Sequence, residues 1–264
     1  MAMSVRPPAV AGAFYPASPS ELKSQVEGFL QGNGPAAVPK AIIAPHAGYV
    51  YSGPIAGSAF RRLVPAASTI RRVILLGPSH FVPIRGLALP DRQQFETPLG
   101  RVTIEPEGAR DALRLPQVRV IPEAHAREHS LEVEVPFLQV LLGEGFTLVP
   151  LAVGEASGDE VAEVLERLWG GPETAVVVSS DLSHYLSYDE ARQADRETAE
   201  EIVGLGGPLQ GRQACGARPI NGLLETARRL GMTAELLDLR SSGDTAGDRS
   251  RVVGYGAFAF HERS

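Results

Sequence analysis

A single cysteine, Cys215, occurs in 264 residues, which excludes an internal disulfide and any zinc cluster built on several thiolates. Basic residues never gather into a long run, and 25 Lys and Arg against 31 Asp and Glu leave a formal net charge of -6. Nucleic acid, which needs a concentrated positive surface, is therefore not an expected partner. No uncharged apolar stretch reaches the roughly 20 residues that cross a bilayer. Residues 1–8 also lack the apolar segment of a secretory signal. No membrane association is expected, and the chain reads as cytoplasmic. Aromatic residues are sparse at 6%, yet hydrophobic residues make up 44%, enough for a chain of this length to bury a substantial core. With so little sulfur, a metal site would draw on histidines and carboxylates.

What is present is an alternation of strand and helix patterns, with no linker or repeat to interrupt it. It predicts an α/β fold: one layered domain over residues 1–264, with a central, largely parallel mixed sheet flanked by helices. Ser18-Pro19-Ser20-Glu21 reads as a capping box opening a helix towards Leu30, stopped by Gly32, Gly34 and Pro35. Apolar runs at 41–44, 72–76, 146–153, 175–178, 234–239 and 252–260 read as strands, and segments 54–63, 161–169, 188–203 and 219–230 as helices. Residues 87–104 read as an antiparallel excursion covering one edge of the sheet. Leu131, Val135, Leu138 and Leu142 recur at helical spacing, with Pro136 marking a kink or a later helix start.

In open α/β sheets ligands settle in the crevice beyond the carboxyl ends of the strands. Three of the six histidines fall there: His46, His80 and His184 each follow a buried apolar run, and Asp244 follows the run at 236–239. Two imidazoles and one carboxylate on one face of a metal are the ligand set of non-heme Fe(II) oxygenases, so the expected metal ligands are His46, His80 and Asp244. Fe(II) is the expected ion, and zinc or copper could use the same ligands. A zinc ion would instead suit a hydrolase, by bringing a bound water to a pKa of roughly 7. His184 is the candidate acid or base, oriented by Asp181. Ser241-Ser242-Gly243-Asp244 also reads as a plain turn whose carboxylate bonds nearby amides. His125 and His129 have HxxxH spacing without the glutamate of the metalloprotease pattern. His129 is expected to line the pocket or support a ligand, and His125 and His261 to face solvent. Cys215 reads as an inert buried thiol, with a nucleophile as the alternative.

Read in order, the motifs extend over nearly the whole chain. They are Arg6-Pro7-Pro8-Ala9-Val10-Ala11-Gly12-Ala13-Phe14-Tyr15-Pro16, Ala44-Pro45-His46-Ala47-Gly48-Tyr49-Val50-Tyr51-Ser52-Gly53, Leu76-Gly77-Pro78-Ser79-His80 and Thr97-Pro98-Leu99-Gly100. Glu128-His129-Ser130-Leu131-Glu132, Ser180-Asp181-Leu182-Ser183-His184 and Ser242-Gly243-Asp244 follow. In this series the chain resembles the Memo family, whose prokaryotic members are called AmmeMemoRadiSam system protein B. The resemblance implies a fold like that of the class III extradiol dioxygenases, which open catechol rings with Fe(II) held by two histidines and a carboxylate. It matches His46 and His80 to the histidine ligands and His184 to the acid/base position. At the position of Asp244 some members of the family carry cysteine. Two functions follow. One is an Fe(II)-dependent oxidoreductase acting on a small, aromatic molecule. The other is a metal- or small-molecule-binding subunit that works with radical SAM and AMMECR1-like partners without turnover of its own.

Overall fold

The structure is a computed structural model, and it describes residues 3–32 and 37–263. The strands among them are β1 (Val5–Arg6), β2 (Ala41–Ala44), β3 (Arg72–Pro78), β4 (Leu87–Leu89), β5 (Gln94–Thr97), β6 (Gly100–Ile104), β7 (Val118–Val120), β8 (Thr147–Val153), β9 (Thr174–Ser179), β10 (His184–Leu186), β11 (Thr233–Ser241) and β12 (Val252–His261). The helices are α1 (Pro19–Leu30), α2 (Tyr49–Phe60), α3 (Pro106–Ala112), α4 (Glu123–Ala126), α5 (Val135–Leu142), α6 (Gly158–Leu168), α7 (Tyr188–Val203) and α8 (Ala217–Arg229). One mixed sheet runs through them in the order β1-β5-β6-β8-β3-β9-β2-β12-β10, with β11 on β12 and β4 between β7 and β8. Its centre, β8-β3-β9-β2, is parallel, and β12 closes it antiparallel to β2.

The central strands are apolar at nearly every position because both of their faces are covered. Ile42, Ala44, Val73 and Leu75 point into one core with α1, α2 and α5. Their neighbours Ala41, Ile43, Ile74 and Leu76 point into the other with α6, α7 and α8. This three-layer arrangement is the expected α/β architecture. The hairpin β5-β6 extends the sheet beyond β8, as the 87–104 reading anticipated, whereas β4 branches from β8 and carries β7. No described helix is long and apolar enough to cross a membrane.

Local departures have local causes. The Ser18 side chain meets Ser20 rather than an amide of the first turn, so the expected capping box is not made. Gly34 and Pro35 lie outside the described residues. Helix α2 begins at Tyr49, ahead of the expected Pro54 start, because the Phe14 carbonyl accepts the Tyr49 amide at 2.7 Å and so satisfies a first-turn donor from a distant segment. Pro136 marks a helix start: α5 opens at Val135, where the missing proline N–H costs nothing.

Candidate metal centre

Strands β3, β9 and β2 are adjacent, so the residues that follow them meet at one edge of the sheet. His46 comes directly after β2 and Pro45, and is buried. Its backbone N–H donates to Asp181 Oδ1 at 2.8 Å, and its Nδ1 lies 2.7 Å from Ser179 Oγ at the end of β9. Both contacts fix the ring and leave Nε2 as the open nitrogen. Burial, followed by the neighbouring imidazoles of His80, His129 and His184, drives the His46 pKa well below the ordinary histidine value, so the ring is neutral and able to ligate.

His80 follows β3 and is held by one carboxylate. Glu128 accepts from the His80 backbone N–H at 2.6 Å and from Nδ1 at 2.8 Å, and takes the Ser130 amide at 2.9 Å. Burial pushes the Glu128 carboxyl up, but the hydrogen bonds and charge of His80, with the Ser130 amide, outweigh it and bring its pKa down to about 2. An ionised Glu128 makes His80 the Nδ1 donor and leaves its Nε2 free, the usual way a ligating histidine is oriented. Glu128 is itself placed from the other end of the chain. Arg6 donates to the Glu128 and His125 carbonyls at 2.6 and 2.9 Å and pairs with buried Glu132. Glu132 also takes the Ala9 and Val10 amides and the Tyr15 hydroxyl. The N-terminal motif is thus a strap that locks the Glu128 loop under His80.

The third ligand atom that could join these two is sulfur. Cys215 Sγ lies 3.3 Å from His46 Nε2, and its loop is fixed by the Cys215 amide to Asp181 O at 3.2 Å and the Gly216 amide to Ser180 Oγ at 2.9 Å. Among the described residues, His46, His80 and Cys215 offer ligand atoms that all lie within 4.8 Å of one another. A second grouping of His80, Glu128 and His129 meets the same limit, but there the Glu128 oxygens are already taken up by three N–H donors. Burial, and then Asp181, raise the Cys215 thiol to about 12, so sulfur enters a metal's coordination only by losing its proton to it. Two imidazoles and one thiol within reach, each imidazole with Nδ1 already engaged, fit a transition-metal ion.

His184 faces this cluster across a cavity of about 980 Å³, lined among others by His80, His184, Tyr185, Arg212 and Cys215. Its Nδ1 donates to the Leu182 carbonyl at 2.8 Å, and burial lowers its pKa, so Nε2 is a neutral proton acceptor. The loop carrying it is pinned by Asp195 of α7, which accepts the Ser183 amide at 2.9 Å. Gly254 of β12 permits this: a Cβ there would lie 1.9 Å from Asp195 Oδ2. Tyr185 beside His184 adopts φ of 60°, a left-handed conformation uncommon for residues other than glycine. His129 stacks on His80 with ring centroids 4.7 Å apart.

The expected constellation is corrected at four residues. The Asp244 carboxylate is taken up by its own turn: it accepts from the Tyr188 hydroxyl and the Ser241 amide and hydroxyl, closing a single 3-10 turn. It is not among the grouped donors, whereas Cys215 is. Asp181 accepts from the His46 and Ala47 amides and holds that loop, while His184 is oriented by a backbone carbonyl. His125 is buried, not solvated, with Nε2 donating to Ala88 O at 2.8 Å. His261 is half-buried beside Glu235. The sequence assigns no role to Glu128, Ser179 or Asp195. Only Glu128, next to His129 in a polar pre-helical stretch, carried a signal.

A family model described as Memo-like protein matches residues 6–259. A MEMO1 family protein of Methanopyrus kandleri is 37% identical over 287 residues, covering 97% of this chain and 98% of that one. One from Sulfolobus acidocaldarius is 36% identical over 277 residues, covering 95% and 97%. One from Nitrosopumilus maritimus is 34% identical over 275 residues, covering 97% and 99%.

Proposed function

The chain belongs to the Memo-like family, and on that premise we propose that it holds a transition metal on His46, His80 and Cys215 and oxidises a small organic molecule bound in the adjoining cavity. The observation that carries this reading is the 4.8 Å cluster of three ligand atoms beside the cavity that His184 also lines. Iron is the proposed ion, with copper or zinc as the ions that a thiolate donor also suits. A bound metal would supply a redox centre and a Lewis acid at this point.

The protein's own groups do the rest. Glu128 keeps His80 in the ligating tautomer, Asp181 holds the His46 backbone, and Ser179 engages the His46 Nδ1 so that Nε2 faces Cys215. His184 takes a proton at Nε2 from a hydroxyl of the bound molecule, its Nδ1–H already committed to Leu182 O. Tyr185 and Leu186 give the cavity an apolar wall, and Arg212, Glu197 and Glu201 give it charges of both signs, which suits a flat aromatic compound bearing polar substituents.

The test is elemental analysis of the protein as isolated, followed by anaerobic Fe(II) loading and measurement of oxygen uptake with a panel of catechols and aminophenols. The wild type should bind one ion per chain and consume oxygen with at least one compound. His80→Ala should lose the ion. His184→Ala should keep the ion and lose uptake by about 100-fold or more, the scale of a missing acid/base group. A full metal complement in His80→Ala sinks the site. A filled site with no uptake on the whole panel sinks the oxidative reaction.

A further inference from the structure

Behind His46 lies a group that the reaction above does not use. Ser179 Oγ has three short contacts: His46 Nδ1 at 2.7 Å, the Ser130 carbonyl at 2.6 Å and Glu134 Oε1 at 2.8 Å. A hydroxyl has one proton to give and two lone pairs to receive with. The Ser130 carbonyl can only accept, so it takes the serine proton, and the other two partners must then be donors. An ionised Glu134 would place oxygen against oxygen with no hydrogen between them. Glu134 is fully buried, its Oε2 has no hydrogen-bond partner, and no Lys or Arg pairs with it among the described residues. Burial raises its proton affinity well above that of an ordinary carboxyl, with the Asp181 charge adding to the effect and Ser179 opposing it.

We infer that Glu134 is a neutral carboxylic acid that positions His46: by donating its proton to Ser179, it obliges His46 to donate from Nδ1 and so keeps Nε2 bare on the side of Cys215. Without that third donor, Ser179 is free to turn its own proton towards Nδ1, and His46 then carries hydrogen on Nε2, the nitrogen a metal needs. Glu134 is thus to His46 what Glu128 is to His80, with the opposite charge state and one serine interposed. The inference rests on the metal-site reading for its purpose, but its proton count stands on the contacts alone.

The test compares wild type, Glu134→Gln and Glu134→Leu by two readouts. One is the nitrogen-15 NMR tautomer of His46 in metal-free protein, and the other is affinity for Co(II). A glutamine amide can still donate to Ser179, so wild type and Glu134→Gln should both show the Nδ1–H tautomer and bind Co(II) alike. Glu134→Leu, of similar volume but without a donor, should show Nε2–H and bind roughly 10–100-fold more weakly, the scale of lost outer hydrogen bonds at metal sites. An Nε2–H tautomer in the wild type overturns the inference, as does an equal loss of affinity in both variants. If no variant binds Co(II) but wild type and Glu134→Gln hold Nδ1–H and Glu134→Leu does not, the inference stands and the metal reading falls.

Discussion

His125 is buried with Nε2 donating to the Ala88 carbonyl and Nδ1 bare, and burial lowers its pKa to about 4 against the partial opposition of that bond. In the unfolded chain the ring titrates near 6.5. Between those values the unfolded state binds a proton that the native state does not, so stability is unaffected above pH ~6.5 and falls as pH drops towards 4. The loss reaches about 3 kcal/mol at the bottom of the window. His125→Gln should show a shallower decline of Tm between pH 7 and 4.5 than the wild type, and parallel declines would show that another group carries the effect. A histidine's spacing in the sequence says nothing of this, because its state is set by the residues packed around it. Asp244 makes the same point. Ser-Ser-Gly-Asp reads alike as ligand loop and as turn, and only the positions of Tyr188 and Ser241 decide. Asp244→Asn should leave the metal content unchanged while Cys215→Ser lowers metal affinity, both read by equilibrium dialysis. The reverse pattern would restore the carboxylate.

At the scale of elements, the strands were the legible part. A run such as Ile42-Ile43-Ala44 or Val176-Val177-Val178 is apolar at every position because helices cover both faces, and the histidine after it marks where the covered region ends. Helix starts were less legible, since α2 depends on a carbonyl 35 residues away in sequence that accepts the Tyr49 amide. Cys215 escaped because it lies in a loop before α8 and not at a strand end, and its loop is anchored by amide bonds to Ser180 and Asp181 that no local pattern encodes. The close packing of β12 on α7 offers a direct test. Gly254→Ala would push a methyl against Asp195 and disturb its bond to the Ser183 amide, with overpacking of this kind costing about 1–3 kcal/mol. Thermal unfolding should show the loss, and an unchanged Tm would mean that Asp195 moves aside freely.

Over the whole molecule, the family motifs near the N-terminus and around Glu128 become one object. Arg6 and Glu132 form a buried pair, and around it the first strand, the Glu128 loop and the segment leading to α5 are tied together. Removing one partner of such a pair leaves a buried charge uncompensated, so Arg6→Met should destabilise the protein by about 3–5 kcal/mol in denaturant titration. It should also weaken metal binding, because Glu128 loses a support. A stability loss below 1 kcal/mol would show that water reaches Glu132. The pairing was invisible in the sequence because its members are 126 positions apart.

The order of the central strands carries a kinetic consequence. Neighbours β3, β9 and β2 bring together residues 46 and 80, and the loop before α8, bonded to Ser180 and Asp181, adds residue 215, so the donors are assembled only after long stretches of chain have been closed into place, the slow kind of contact in folding. An ion arriving early finds at most one histidine. Metal should therefore leave the refolding rate nearly unchanged and express its whole effect as slower unfolding, a clasp fastened last on a structure that has already closed.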